Sequence, residues 1–137
     1  MGRNDKRILI AEDNPELAGL IRIAFLGAPF RYDLANTGQE VTALHHLAVE
    51  HGDPYDLLVL DVAMPMKLGT TALREIRAEG DMQTPAIVFT GLPPDQTEAE
   101  VKDLNVLCVL YKPLGYDELM RHILQALEGD RVEAHQA

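Results

Sequence analysis

Short apolar runs alternate along the chain with longer segments of helical period. Ile8, Leu9, Ile10 and Ala11 read as a strand that ends at Glu12, Asp13, Asn14 and Pro15. Asn14 can cap a helix starting at Pro15, where a missing amide proton does no harm. Leu17, Leu20, Ile21, Ala24 and Phe25 then recur at helical spacing until Gly27, Ala28 and Pro29 stop the run. Residues 31–35 predict a second strand, polar enough for a sheet edge. Thr37 and Glu40 have capping-box spacing and open a helix carrying Val41, Leu44, Leu47 and Ala48.

The rhythm continues to the end. Leu57, Leu58, Val59 and Leu60 are uniformly apolar, as a strand covered on both faces must be. Thr70 or Thr71 starts a helix through Leu73 and Ile76. Ala86 to Phe89 read as a fourth strand. Asp95 to Glu98 cap a short acidic helix ending near Leu104, and Val106 to Leu110 form a fifth strand. Met120, Ile123, Leu124 and Leu127 give a last helix its apolar stripe. Five strands alternating with five helices predict an α/β domain, a parallel sheet covered on both sides with right-handed crossovers. One domain is expected over residues 6–128, with flexible polar ends at 1–5 and 129–137.

A length of 137 residues suits one domain with a core large enough to fold without disulfides or metal. Lys plus Arg number 12 against 22 for Asp plus Glu, so the surface is not built to grip nucleic-acid phosphates or anionic lipid. Cys108 is the only cysteine, which excludes a disulfide framework and a thiolate metal cluster. The apolar runs are too short to span a membrane, and the N-terminus lacks the apolar core of a secretion signal. A cytoplasmic home is expected.

The candidate chemistry sits where strands end. In an open parallel sheet, ligands bind outside the carboxyl ends of the strands, beside the point where strand order reverses. Glu12 and Asp13 follow the first strand, Asp61 the third, Thr90 the fourth, and Lys112 and Pro113 the fifth. Taken singly, each is an ordinary turn former, cap or solvated charge. Together they would be costly: two carboxylates about 5 Å apart repel by roughly 3 kcal/mol at an effective dielectric near 20. A hard divalent cation with oxygen ligands relieves that repulsion, and magnesium suits one or two carboxylates plus water. A carboxylate beside such an ion can attack a phosphoryl group, with Thr90 and Lys112 contacting the phosphoryl oxygens.

This ordered set, Glu12 and Asp13, Asp61 followed by Met64, Pro65 and Gly69, then Thr90, then Lys112 and Pro113, resembles the receiver domain of two-component response regulators. The separations from Asp13 onward are 48, 29 and 22 residues, and the resemblance covers about residues 7–128. It implies a doubly wound, flavodoxin-like sheet of order 2-1-3-4-5 flanked by five helices. Asp61 would then accept a phosphoryl group from a histidine kinase or histidine phosphotransfer protein. Asp13, Asp61 and the Ala63 backbone carbonyl would bind Mg²⁺, with Glu12 acting through water. Thr90 would swing toward the phosphoryl group and Lys112 would pair with it. The Lys112–Pro113 peptide would be cis, aiming the ammonium into the site.

Some positions depart from that pattern. Val109 stands where similar receivers carry Tyr or Phe; Tyr111, two residues on, either substitutes or is a packing or rim residue. Ala63 and Leu92 flank the expected route of hydrolytic water and cannot orient it, which implies slow self-dephosphorylation. Pro93 and Pro94 restrict the loop that moves on activation. Cys108 reads as a small core residue, and Met64 and Met66 as loop residues. His45, His46, His51, His122 and His135 lack ligand spacing with carboxylates, and none reads as a phosphodonor. The acidic run 95–103 reads as a solvated helix face near the output surface.

The function expected is a signalling switch, not a turnover enzyme, whose output leaves through a protein target on the 95–128 face. The kinase-side partner would dock near Leu17, Ile21 and the loop after Lys112. A receiver excised from a hybrid histidine kinase fits as an alternative, as does a phosphorylation-independent binding module. A small phosphatase is disfavoured because Ala63 leaves no second acid or base at the i+2 position.

Overall fold

The computed structural model describes residues 6–64 and 66–128. Pro65 and the ends expected to be flexible lie outside the described residues. Five strands, β1 (Arg7–Ala11), β2 (Arg31–Ala35), β3 (Leu57–Asp61), β4 (Ala86–Thr90) and β5 (Val106–Tyr111), alternate with five helices. These are α1 (Pro15–Ala24), α2 (Gly38–Glu50), α3 (Gly69–Ala78), α4 (Pro94–Val101) and α5 (Tyr116–Leu127). The strands are parallel in the order β2-β1-β3-β4-β5. This is the doubly wound α/β arrangement expected, with β2 at an edge.

Alternation along each strand divides the core in two. Leu9, Ala11, Leu58 and Leu60 turn toward Val41, Ala48, Ala72, Leu73 and Ile76 of α2 and α3. Ile8, Ile10, Leu57, Val59 and Phe89 turn toward Ile21 of α1 and Leu119 and Ile123 of α5. Strand order reverses between β1 and β3, so a crevice opens at their carboxyl ends, where Glu12, Asp13 and Asp61 lie.

Helix starts follow the sequence where a side chain does the capping. Asn14 Oδ1 accepts from the amides of Glu16 and Leu17 at 2.9 and 3.2 Å. Thr37 Oγ1 accepts from the Glu40 amide at 3.1 Å, and Glu40 Oε1 reaches back to the Asn36 amide at 2.6 Å. Two starts differ from expectation. α3 begins at Gly69, before Thr70 and Thr71, because the Gly69 amide donates to Val62 O at 2.9 Å and folds the chain into the first turn. Thr70 is buried instead, its hydroxyl donating to Glu100 Oε1 of α4 at 3.0 Å. α4 is preceded by Pro93 and starts at Pro94, whose fixed φ suits a first helical turn; Asp95 lies inside it. That helix ends at Val101, and Asp103 and Asn105, at φ 69° and 59°, carry the turn into β5.

Two stripe positions also differ. Leu20 and Leu47 are each 46% exposed. In α2 the buried place belongs to His45, whose Nε2 lies 2.9 Å from Asp81 Oδ2. Beside that pair, the buried Arg77 guanidinium donates to the carbonyls of Leu104 and Asp81 at 2.9 Å and of Asn105 at 3.3 Å. In β5, pairing passes from Val106 opposite Ala86 to Cys108 opposite Ile87, so Leu107 is an extra residue. From Cys108 onward the strand is regular: Cys108 and Leu110 pack toward the α1–α5 core, while Val109 and Tyr111 share the opposite face.

Gly69 packs against the backbone of Asp61. A Cβ there would overlap the Asp61 carbonyl oxygen and lie 3.0 Å from its carbonyl carbon, whereas a Cβ at Gly19 in α1 meets nothing within 4 Å. Urea denaturation should therefore show Gly69→Ala destabilised by about 1–3 kcal/mol, the range for overpacking. Gly19→Ala should gain about 0.5–1 kcal/mol through lower chain entropy in the helix.

Candidate functional site

Four strand ends deliver the polar groups that the sequence singles out. β1 leads into Glu12 and Asp13, β3 ends on Asp61, β4 ends on Thr90, and Lys112 follows β5. One carboxylate oxygen from each of Glu12, Asp13 and Asp61 lies within 4.8 Å of the other two. Lys112 Nζ donates to Asp61 Oδ2 at 2.9 Å and to Glu12 Oε1 at 3.2 Å. The Lys112–Pro113 peptide is cis.

Each group is held from behind. The Ala63 amide donates to Asp61 Oδ1 at 3.2 Å, and the Asn14 amide donates to Glu12 Oε2 at 3.0 Å. The Glu12 backbone is tied to the β2 end by its own amide to Ala35 O at 3.0 Å and by Asn36 Nδ2 to Glu12 O at 3.2 Å. The Lys112 amide donates to Thr90 O at 2.7 Å, and its ammonium lies 5.1 Å from the centroid of the Phe89 ring. Thr90 is buried, and its hydroxyl oxygen accepts from the Leu92 amide at 3.0 Å, which leaves the hydroxyl proton to be donated elsewhere.

Glu12 and Asp61 are only 1% and 2% exposed, so their charges have little water to share. Burial pushes Asp61 up to about 6, Lys112 opposes that rise by hydrogen bond and charge, and Glu12 adds to it. For Lys112, burial disfavours the charged form, but Asp61 and Glu12 hold the ammonium above its usual value. Three carboxylates against one ammonium leave the cluster net negative. A set of hard oxygen donors with that imbalance fits a hard divalent cation.

The structure thus brings Glu12, Asp13, Asp61 and Lys112 together, with Thr90 beside them and Ala63 exposed at the rim. Cys108 is half-buried, and burial pushes its thiol up, in keeping with a packing role. Met64 is buried in the core beneath the loop after β3, while Met66 is exposed. Ile21, expected at a docking surface, is 1% exposed and belongs to the core.

Sequence reasoning missed a cavity of about 480 Å³ next to the cluster, between α1, α5 and the loop after Lys112. Phe89 beneath Lys112 and Tyr116 at the start of α5 both line it. Phe89 directly precedes Thr90 and so faces the other side of the sheet; that alternation was the available signal. Nothing in the local sequence marks Tyr116.

Comparison with known proteins places these features in context. The family described as the response regulator receiver domain matches residues 8–124. The chain is 32% identical over 122 residues to the regulatory protein AtoC of Escherichia coli (strain K12), covering 89% of this chain and 25% of that protein. It is 36% identical over 124 residues to the sensor protein EvgS of Escherichia coli O157:H7, covering 86% of this chain and 9% of EvgS. The chain therefore spans a quarter or less of the length of these two relatives. Among solved structures, the receiver domain of the Francisella response regulator 1452 superposes with a TM-score of 0.75 at 24% identity, over 90% of this chain and 97% of that one.

The raised Asp61 value has a pH signature. The folded state binds this proton more tightly than the unfolded chain, where the value is the usual 3.8. The associated stability is therefore full below the unfolded value and is lost as pH rises through about 6. In EDTA, the urea stability of the wild-type protein relative to Asp61→Asn should fall across that window and level off above it. A flat difference across the window would contradict burial as the cause.

Proposed function

The chain belongs to the response regulator receiver domain family, and on that premise we propose that it is a phosphorylatable switch. In this reading Asp61 takes a phosphoryl group from a histidine kinase or histidine phosphotransfer protein in a Mg²⁺-dependent reaction. The observation that carries it is the meeting of the Glu12, Asp13 and Asp61 carboxylates at the switch point of the sheet, with Lys112 paired to Glu12 and Asp61.

Asp13, Asp61 and the Ala63 carbonyl would hold Mg²⁺, with Glu12 acting through a bound water. When bound, the ion neutralises charge on the phosphoryl oxygens. The chain's own groups do the positioning. The Ala63 amide and Lys112 fix the Asp61 carboxylate by its two oxygens, which orients it for attack on phosphorus. Once phosphorus is bound to Asp61, the Lys112 ammonium is placed to pair with the phosphoryl oxygens, and the Thr90 hydroxyl proton can be donated to them.

The signal would leave through a protein partner on the 95–128 face. Tyr111 pairs in register with Thr90, and Val109 lies on the same face of β5, so both adjoin the Thr90 end of that surface. The phosphodonor would approach over α1 and the loop after Lys112. Likeness both to a regulator and to a sensor supports a second reading, a receiver that is one part of a larger sensor kinase. Among the described residues no helix is long and apolar enough to cross a membrane.

Incubation with acetyl phosphate and Mg²⁺ should add one phosphoryl group by intact mass, and Asp61→Asn should add none. Lys112→Met should slow the reaction by about 10²-fold, the usual loss of one preorganised charge contact. The phosphoaspartate should be long-lived because Ala63 and Leu92 cannot orient water. Leu92→Glu is expected to shorten that lifetime, and a lengthened one would contradict the assignment.

A further inference from the structure

We infer that the cavity beside the carboxylate cluster makes this protein selective for phosphodonors with an aromatic leaving group, an inference that rests on the phosphoryl-transfer reading above. The cavity measures about 480 Å³, and two of its walls, Glu12 and Lys112, belong to the cluster itself. The remaining walls are apolar side chains and one phenol. Leu17 and Leu20 come from α1, Phe89 from β4, and Leu114, Tyr116 and Leu119 from the start of α5 and the loop before it. Apolar walls with a few polar groups, in a space of roughly 300–1,000 Å³, are characteristic of small-molecule sites. An apolar hole of roughly 150 Å³ already takes up benzene.

Position determines which part of a donor enters. Lys112 Nζ lies 2.9 Å from Asp61 Oδ2 and 5.1 Å from the Phe89 ring centroid. The same ammonium therefore serves the nucleophile and borders the cavity. A donor whose phosphoryl group rests against Asp61 and Lys112 can reach the cavity with its leaving group, since Lys112 and Glu12 border both spaces. In the transfer, an Asp61 oxygen bonds to phosphorus while the bond from phosphorus to the donor's acyl oxygen breaks. The electron pair leaves with that oxygen as a free carboxylate, and no proton has to move. Acetyl and benzoyl phosphate share this reacting bond and release similar carboxylates. They differ in the ring, whose burial in the apolar walls is favourable.

Phosphorylation measured by intact mass over a range of each donor, with Mg²⁺ in excess, tests the inference. Benzoyl phosphate should half-saturate at a concentration at least about 5-fold below that of acetyl phosphate, with a similar maximal rate, as extra ground-state binding requires. Leu20→Trp, at a half-exposed position, and separately Tyr116→Trp should narrow the cavity and reduce the difference. The rate with acetyl phosphate should stay within about 2-fold of wild type in both. Benzoylphosphonate, which cannot transfer its phosphorus, should shift the methyl NMR signals of Leu17 and Leu20, and acetylphosphonate should not. Equal half-saturation by the two donors, or a preference undiminished by either tryptophan, overturns the inference while phosphorylation itself stands. No mass gain from either donor overturns the phosphoryl-transfer reading, and the selectivity falls with it.

Discussion

Much of this molecule is arranged around one unfavourable contact, the meeting of Glu12, Asp13 and Asp61 where strand order reverses. Like charges at that separation repel, and two of the three are almost wholly removed from water. Lys112 offsets part of the repulsion by bonding two of the carboxylates at once. Backbone amides from Asn14 and Ala63 offset more. Gly69, pressed against the Asp61 backbone, keeps the loop after β3 tight enough to hold that carboxylate in place. The remaining excess of negative charge suits the cluster to a hard cation.

The opposite end of the sheet shows how differently polar groups behave when they are fully satisfied. Burial alone would push the Asp81 carboxyl up, but the Thr84 hydroxyl and amide, His45 and the Gln83 amide hold it well below the usual range. Arg77 spends its guanidinium on three carbonyls of the turns before β4 and β5. No ligand is needed to complete this network. The contrast between the two poles separates a polar cluster that satisfies itself from one left net negative more clearly than burial does.

The fold was legible because parallel strands covered on both sides are written as uninterrupted apolar runs. The site was legible because each run ends abruptly on a polar residue. Asn14 and Thr37 announced their helices through their own side chains. α3 and α4 announced nothing comparable, since one start is fixed by a backbone bond from Gly69 to Val62 and the other by a proline ring. His45 could not be recognised as buried because its partner Asp81 lies 36 residues away. Nor could the extra residue at Leu107, since one more apolar side chain in an apolar run leaves no mark. The cavity beside Lys112 escaped notice because it is made by four elements meeting and by no single motif.

Thr70 and Glu100 tie the first turn of α3 to α4, and Arg74 adds a bond to the Glu100 carbonyl at 3.1 Å. Thr70 immediately follows Gly69, the residue wedged against Asp61. Anything that grips α4 and draws Glu100 aside strands the buried Thr70 hydroxyl and loosens the loop that follows Asp61. Thermodynamic reciprocity then binds the two ends: to the extent that events at Asp61 alter affinity at α4, a ligand on α4 must alter the equilibrium at Asp61 by the same factor. Through Thr70 and Glu100 the two poles of this loop share one balance, so that a weight laid on α4 is felt at Asp61.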